Sequence, residues 1–285
     1  MKPKAILSAL ATLALIAVGR AQELSPPRPD HIVIVVEENH GFKRIIGSAA
    51  APYINSLAQR GVLFTRSYAI RHPSQPNYLA LFSGSLQGMK SDSCPHYFGS
   101  ANLGSELIAA GFTFAGYSES LPANGFKGCR LHSYTRSHNP WVNFTNLADS
   151  TNLRFEDFPT NFDALPTVAF VIPDKRDDMH DGSIVRADTW LHEHLDSYVQ
   201  WAQTNNSLFV LTWDEGGRSG PKVERNRIAT LFVGPMVQSG TNAQPITHYN
   251  VLRTIEDMYG LPALGDSATN APITNIWVSA DAGAP

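Results

Sequence analysis

The stretch "HIVIVVE", residues 31–37, is apolar nearly throughout and rich in β-branched side chains. The same texture returns in "GVLFTRSYA" (61–69), "GFTFAGYS" (111–118), "PTVAFVIP" (166–173), "SLFVLTWDE" (207–215) and "RIATLFVGP" (227–235). Strands of this kind lack the polar–apolar alternation of a half-exposed sheet and read as buried on both faces, as in largely parallel sheets. Helical patterns lie between them. "APYINSLAQRG" and "LGSELIAAG" each end in a glycine expected to cap a helix. A longer helix is expected over 184–201, where apolar residues at 184, 187, 191, 195, 198 and 199 line one face, and "HYNVLRTIEDMYG" reads as another. Together these predict an α/β fold, a doubly wound mostly parallel sheet, in one domain over residues 28–280. Residues 118–162 lack periodicity and read as long loops over one sheet edge.

The N-terminus has a short basic start, an apolar run from Ala5 to Val18, and small residues at Gly19 and Ala21. A run shorter than the roughly 20 residues that span a bilayer reads as a cleaved signal over residues 1–21, not a stable membrane anchor. Export to the periplasm or the extracellular space is therefore expected. Without that segment the chain carries 19 basic and 25 acidic side chains, a formal charge of −6, which argues against nucleic acid or anionic membrane as the main partner. Cys94 and Cys129 form an even pair in a chain read as exported; a disulfide between them is expected, with two buried free thiols as the alternative.

In a doubly wound sheet, ligands bind beyond the carboxyl ends of the strands, so the polar residues that follow each strand matter most. The first strand runs into Glu37, Glu38, Asn39 and His40, and a later one into Asp214, Glu215, Gly216, Gly217 and Arg218. Carboxylates and an amide supply hard oxygen ligands for a cation, although polar turns and an Arg218 partner for the acids also fit. "RHPSQPNY" (71–78) sets Ser74 between two prolines just before an apolar helix. Such a serine caps a helix, or it meets a phosphoryl group that the free N–H groups of the helix start can bind. His180 in "RDDMHDG" and His138 in "SHNPW" are candidates for proton exchange near neutral pH. His72 and His248 stay undecided between site and packing. His96, His132, His192 and His194 read as surface or packing residues.

Taken in order, "VVEENHGF", "RHPSQPNYLALFSG", "SHNPW", "PDKRDDMHDGS", "TWDEGG" and "HYNVLRTIEDMYGLP" resemble the phosphoesterase family of bacterial acid phosphatases and phospholipase C enzymes, within the alkaline phosphatase superfamily. The resemblance spans His31 to Pro262 and implies an alkaline-phosphatase-like three-layer sandwich. It implies a metal set of Glu38, Asn39, Ser74, Asp214 and Glu215, with Ser74 as nucleophile. His138 and His180 would serve the phosphoryl or leaving group, and donors near Asn77 the phosphoryl oxygens. Asp174 stands where relatives often carry Asn, which weighs against a phosphate-contact role for it. Sulfatases of the superfamily follow their nucleophile with x-P-x-R; "SQPNY" lacks the arginine, which argues against sulfatase activity. The expected cofactor is one divalent ion, with Mg²⁺, Mn²⁺ or Ca²⁺ favoured over Zn²⁺ by the oxygen donors. The expected activity is metal-dependent hydrolysis of phosphate monoesters through a phosphoserine intermediate on a small phosphorylated substrate. The alternatives are phospholipase C or another phosphodiesterase acting on phospholipid, and an exported non-catalytic binding protein.

Overall fold

Strand β1 (His31–Glu37) runs through the middle of an eight-stranded sheet and is buried from Ile32 onward, as its unbroken apolar run predicts. The structure is a computed structural model that describes residues 26–216 and 225–278. The signal expected over 1–21, Gly217 and Arg218, and the last two residues of the expected 28–280 domain lie outside the described residues. The further strands are β2 (Val62–Phe64), β3 (Ser67–Tyr68), β4 (Phe114–Ser118), β5 (Arg130–Leu131), β6 (Tyr134–Thr135), β7 (Asn152–Arg154) and β8 (Val168–Ile172). They continue as β9 (Ser207–Trp213), β10 (Arg227–Ile228), β11 (Thr230–Val233), β12 (Gly240–Asn242) and β13 (Ile246–Thr247). The helices are α1 (Phe42–Ile45), α2 (Pro52–Arg60), α3 (Ser74–Ser83), α4 (Leu103–Ala109), α5 (Ile184–Ala202) and α6 (His248–Tyr259).

The main sheet has the order β12-β2-β11-β9-β1-β8-β4-β7. From β9 through β7 every neighbour is parallel, while β11 runs antiparallel to both β9 and β2. Alternate residues of β1 feed two separate apolar layers. Ile32, Ile34 and Val36 pack with Leu79 and Phe82 of α3, Leu103 and Leu107 of α4, and Leu252 and Ile255 of α6. Val33 and Val35 pack with Ile54 and Leu57 of α2 and with Leu191 and Leu195 of α5. The result is three layers, helices on both faces of a mostly parallel sheet, as the sequence pattern predicts. Among the described residues no helix is long and apolar enough to cross a membrane.

Three local features differ from the expectations. Two of the expected strands are each divided, with β2 and β11 in the main sheet and β3 and β10 joined to β13 in a small second sheet. A buried chain of hydroxyls marks the division: Ser67 Oγ lies 2.7 Å from Thr230 Oγ1, which lies 2.9 Å from Thr212 Oγ1. The irregular region conceals strand β7, which pairs with β4 through Gly116↔Asn152. Trp141 fills the space over Gly116, where a Cβ would come within 2.1 Å of the indole. Gly61 follows α2 but has an extended backbone; close approach to Phe232 O, 2.1 Å from where a Cβ would sit, accounts for it better than a left-handed cap.

Helix α6 carries a prediction about stability. Glu256 is fully buried and accepts from the Leu264 amide at 3.0 Å and from Ser267 Oγ at 2.7 Å. Burial pushes its carboxyl up to about 7, so the folded protein holds this proton more tightly than the unfolded chain. The associated stabilisation is complete below the ordinary value of 4.5 and is lost as pH rises through about 7. Between pH 5 and pH 8, denaturant titrations should show wild type losing on the order of 1–2 kcal/mol more stability than Glu256→Gln. Equal losses in the two proteins would contradict this account.

Candidate active site

The chain leaves β1 through Glu38, which is fully buried, and Asn39, whose φ of 54° is left-handed. That turn directs the Asn39 amide N–H to Asp214 Oδ1 at 3.0 Å and its side-chain Nδ2 to Glu38 Oε2 at 2.9 Å. Asp214 is the residue immediately after β9, the parallel neighbour of β1, so the two acidic strand ends meet side by side.

Ser74 is the first residue of α3, and Pro73 takes the N-cap position with an extended backbone. Pro76 falls in the first turn, where its missing N–H costs nothing. The Ser74 hydroxyl makes no capping bond; it donates to Glu38 Oε2 at 3.1 Å and also interacts with Asp214. Capping alone therefore does not account for this serine. The nearby Gln75 amide is satisfied by Asp92 Oδ1 at 2.8 Å. One turn along the helix, Tyr78 donates its hydroxyl to Glu38 Oε1 at 2.6 Å and stacks on His138 with ring centroids 5.3 Å apart.

His138 lies buried between two acids, with Nδ1 at 3.2 Å from Asp178 Oδ2 and Nε2 at 3.3 Å from Glu38 Oε1. Burial lowers its pKa to about 3, so a neutral ring must face two carboxylates with one donor and one acceptor. His180 is the exposed member of the group, a third of its side chain open to solvent. Its amide donates to Asp178 Oδ1 at 2.7 Å, and the preceding Met179 takes a φ of 79°, uncommon for a buried methionine. Asp178 thus holds the His138 ring and the His180 backbone, while Asp181 Oδ1 meets the His180 ring at Nδ1, 2.7 Å away. Glu38, His138 and His180 each offer a ligand atom within 4.8 Å of the others.

The undecided histidines have definite places. His72 Nδ1 lies 2.8 Å from Glu215 Oε2 and braces that acid. His248, the first residue of α6, is buried, and its Nε2 meets the Asp214 carbonyl oxygen at 2.8 Å. Burial lowers its pKa to about 4, so at neutral pH the ring is uncharged and donates from Nε2 to that carbonyl. The reading of Asn77 as a substrate contact needs correction. It is fully buried, its Oδ1 accepts from the Ile70 and Arg71 amides, and its Nδ2 donates to the Arg71 and Pro73 carbonyls. That side chain is spent on the turn that presents Ser74. Asp174 is likewise tied elsewhere, to Ser120 and Arg176.

The loop bearing His138 is anchored from behind. Cys94 and Cys129 are disulfide-bonded, and the Arg136 amide donates to the Cys129 carbonyl at 2.9 Å. The fully buried Arg136 guanidinium donates to the carbonyls of His96, Lys127 and Val142 and to Asn143 Oδ1. One cation thereby joins both sides of the bridge to the turn that ends in His138.

A hard divalent cation fits this cradle. Glu38 and Asp214 are buried together, burial and the neighbouring acids Asp214 and Asp178 raise the Glu38 carboxyl well above its ordinary range, and burial pushes Asp214 up to about 6. Asp214 Oδ2 has no hydrogen-bond partner among the described residues. Glu38, Asn39, Ser74 and Asp214 stand together, with Glu215 next in the chain.

A serine hydroxyl thus stands among acids at a helix start, beyond the carboxyl ends of a parallel sheet, and the fold is that of the alkaline phosphatase superfamily. An alkaline phosphatase superfamily protein from Vibrio parahaemolyticus matches with a TM-score of 0.57 and 12% identity over 87% of this chain and 74% of its own. The phosphonate monoester hydrolase of Silicibacter pomeroyi gives 0.56 and 12% over 88% and 78%. The chain belongs to the Phosphoesterase family, whose model matches residues 48–262, and it is a phosphoric ester hydrolase. Among relatives, a phosphatidylinositol-3-phosphatase from Mycobacterium tuberculosis is 50% identical over 87% of this chain and 82% of its own length. A phosphate-repressible acid phosphatase from Penicillium chrysogenum is 31% identical over 83% of this chain and 60% of its own length.

Proposed function

We propose that this protein hydrolyses phosphate monoesters with Ser74 as nucleophile and a divalent ion held by Glu38, Asn39, Asp214 and Glu215. The observation that carries the reading is the Ser74 hydroxyl, which starts a helix yet turns away from capping it and bonds to Glu38. An ion bound there would favour the ionised serine and offset charge on the phosphoryl oxygens. The oxygen donors favour Mg²⁺, Mn²⁺ or Ca²⁺ over Zn²⁺.

In the first step the Ser74 Oγ–phosphorus bond forms as the bond to the leaving alcohol breaks. Glu38 Oε2, which already accepts from the hydroxyl, takes the serine proton. His180, the exposed ring beside Glu38 and His138, protonates the departing alkoxide. It then takes a proton from the water that displaces Ser74 from phosphorus, and Glu38 returns its proton to the departing Ser74 oxygen as inorganic phosphate is released. His138, pinned by Asp178 and Tyr78, contributes a fixed imidazole against the phosphoryl group.

The monoester reading is favoured over a phospholipase C by the names of the relatives, phosphatases in each case reported above. The 50% identical relative makes a phosphorylated inositol lipid a candidate substrate beside small phosphate esters. An exported location, resting on residues 1–21 and the Cys94–Cys129 bridge, completes the proposal. The purified mature protein should release phosphate from p-nitrophenyl phosphate and from vesicles containing phosphatidylinositol 3-phosphate, and EDTA should suppress both. It should leave p-nitrophenyl phosphorylcholine essentially intact. Turnover confined to the phosphorylcholine substrate would overturn the monoester reading, and full turnover after metal stripping would overturn the metal.

A further inference from the structure

The chain that leaves β7 reads "FEDFPTNF" and sets phenylalanines at 155, 158 and 162. Two short 3₁₀ turns, Phe155–Asp157 and Phe162–Ala164, carry the first and the last of them. All three rings are half-buried and pack on the apolar layer of α2 and α5, the face of the sheet opposite α3 and Ser74. Phe155 meets Trp190 of α5 with ring centroids 5.0 Å apart, Phe158 meets Tyr117 of β4 at 5.2 Å, and Phe162 meets Tyr198 of α5 at 5.4 Å. Each ring is thus fixed on one side by a buried aromatic partner and open on the other.

The open sides wall a cavity of about 500 Å³ between this segment and α5, within the roughly 300–1,000 Å³ usual for small-molecule sites. His194 joins the wall, stacked on Trp190 with centroids 4.8 Å apart and its Nδ1 2.9 Å from the Trp190 carbonyl oxygen. An aromatic face is the negative part of the ring quadrupole and attracts a cation that reaches it.

The cavity also has a charge of one sign. Glu119 lines it beside the end of β4, Glu156 and Glu193 line it from exposed positions, and among the described residues no lysine or arginine does so. The neighbouring guanidiniums serve other acids, Arg154 pairing with Asp157 at 3.3 Å and Arg186 with Asp177 at 2.6 Å. Glu119 already receives one neutral donor on each oxygen, Trp190 Nε1 at 3.0 Å and the Asp174 amide at 2.8 Å. It therefore supplies negative charge more readily than a vacant acceptor. A primary ammonium brings three N–H donors that must exchange water for acceptors, and this wall offers it mainly rings. A fully alkylated ammonium has no N–H to satisfy and draws its stabilisation from ring faces and surrounding negative charge.

We propose that this cavity binds a small quaternary ammonium ligand, with Phe155, Phe158 and Phe162 as its aromatic wall and Glu119, Glu156 and Glu193 as its counter-charge. The acids exclude a purely apolar occupant as the best fit, and the rings exclude a strongly hydrated one. The site lies on the α5 face, apart from the cradle of Glu38, Ser74 and Asp214, and no bond is made or broken in it. It stands whether or not Ser74 is the nucleophile.

Calorimetric titration of the purified mature protein with choline chloride, at constant ionic strength and into the millimolar range, tests the proposal. One choline should bind per chain. Two probes of similar size separate the contributions: the neutral dimethylbutanol in which carbon replaces the choline nitrogen, and ethanolamine, which keeps the charge but carries N–H groups. Each should bind at least about tenfold more weakly than choline. Phe158→Leu keeps apolar bulk against Tyr117 while removing the ring, and the double change Glu156→Gln with Glu193→Gln alters only exposed side chains. Both proteins should lose about fivefold or more in choline affinity, and Phe155→Leu replaces Phe158→Leu if that protein misfolds. Asp214→Asn should bind choline as wild type does. Absence of choline binding, equal binding of either comparison probe, affinity untouched in both the leucine and the glutamine proteins, or loss of binding in Asp214→Asn would overturn the site. No arm reads phosphate release, so such a failure leaves the reading of the catalytic site intact.

Discussion

Ser74→Ala should lower kcat/KM for p-nitrophenyl phosphate by at least about 10³-fold while the protein still folds and melts cooperatively. The size follows from the chemistry, since the substitution removes the atom that forms the bond to phosphorus. The preserved fold follows from the geometry. The hydroxyl provides no helix cap, the Gln75 amide is satisfied by Asp92, and alanine is at least as good as serine within the first turn. Its loss leaves Glu38 with the donors from Tyr78 and Asn39. Stopped-flow or quench experiments add a second readout: wild type should trap a phosphorylated protein at acidic pH, and the alanine protein should not. Near-wild-type turnover in Ser74→Ala would remove the serine from the mechanism.

Asp214→Asn should move activity and metal-free stability in opposite directions. Activity should fall by about 10³-fold or more, because an amide retains the shape of the carboxylate but not the charge that holds a divalent ion. The metal-free protein should gain on the order of 1 kcal/mol, since a buried carboxylate beside Glu38 is replaced by a neutral group in the same space. Chemical denaturation in EDTA, paired with phosphate release in saturating metal, reads both signs in one preparation. A loss of metal-free stability would show that the cradle is held together by Asp214 itself and not strained by it.

Much of this architecture is written in local chemistry. The unbroken apolar runs announce strands covered on both faces, and the rule that sites lie beyond their carboxyl ends leads directly to Glu38, Asn39, Asp214 and Glu215. Ser74 is legible because prolines and a following apolar run fix where its helix starts. What stays hidden is whatever depends on contacts across the chain. Tyr78 reads as one more apolar-face residue of α3, although its place four residues after Ser74, on the same side of the helix, is a signal that could have been used. Asp178 is one acid among several in "RDDMHD" and gains its meaning only from His138, 40 residues away. Asn77 misleads for the opposite reason: a polar side chain near a nucleophile suggests a ligand, but the tight turn before α3 consumes all its hydrogen bonds. Strand β7 is too short for its alternation to show, and the divided strands depend on buried hydroxyl pairs that no periodicity announces.

The anchoring of Arg136 makes the place of His138 depend on the disulfide. Its guanidinium ties together backbone on both sides of the Cys94–Cys129 bridge, and the same short turn delivers His138 to Glu38. A chain kept in a reducing environment would have the acids and the nucleophile in place on their strand ends but a loosened histidine arm. The acids and Ser74 hang on the sheet and on α3, whereas the histidine arm hangs on the bridge, so the two halves of the site have separate supports.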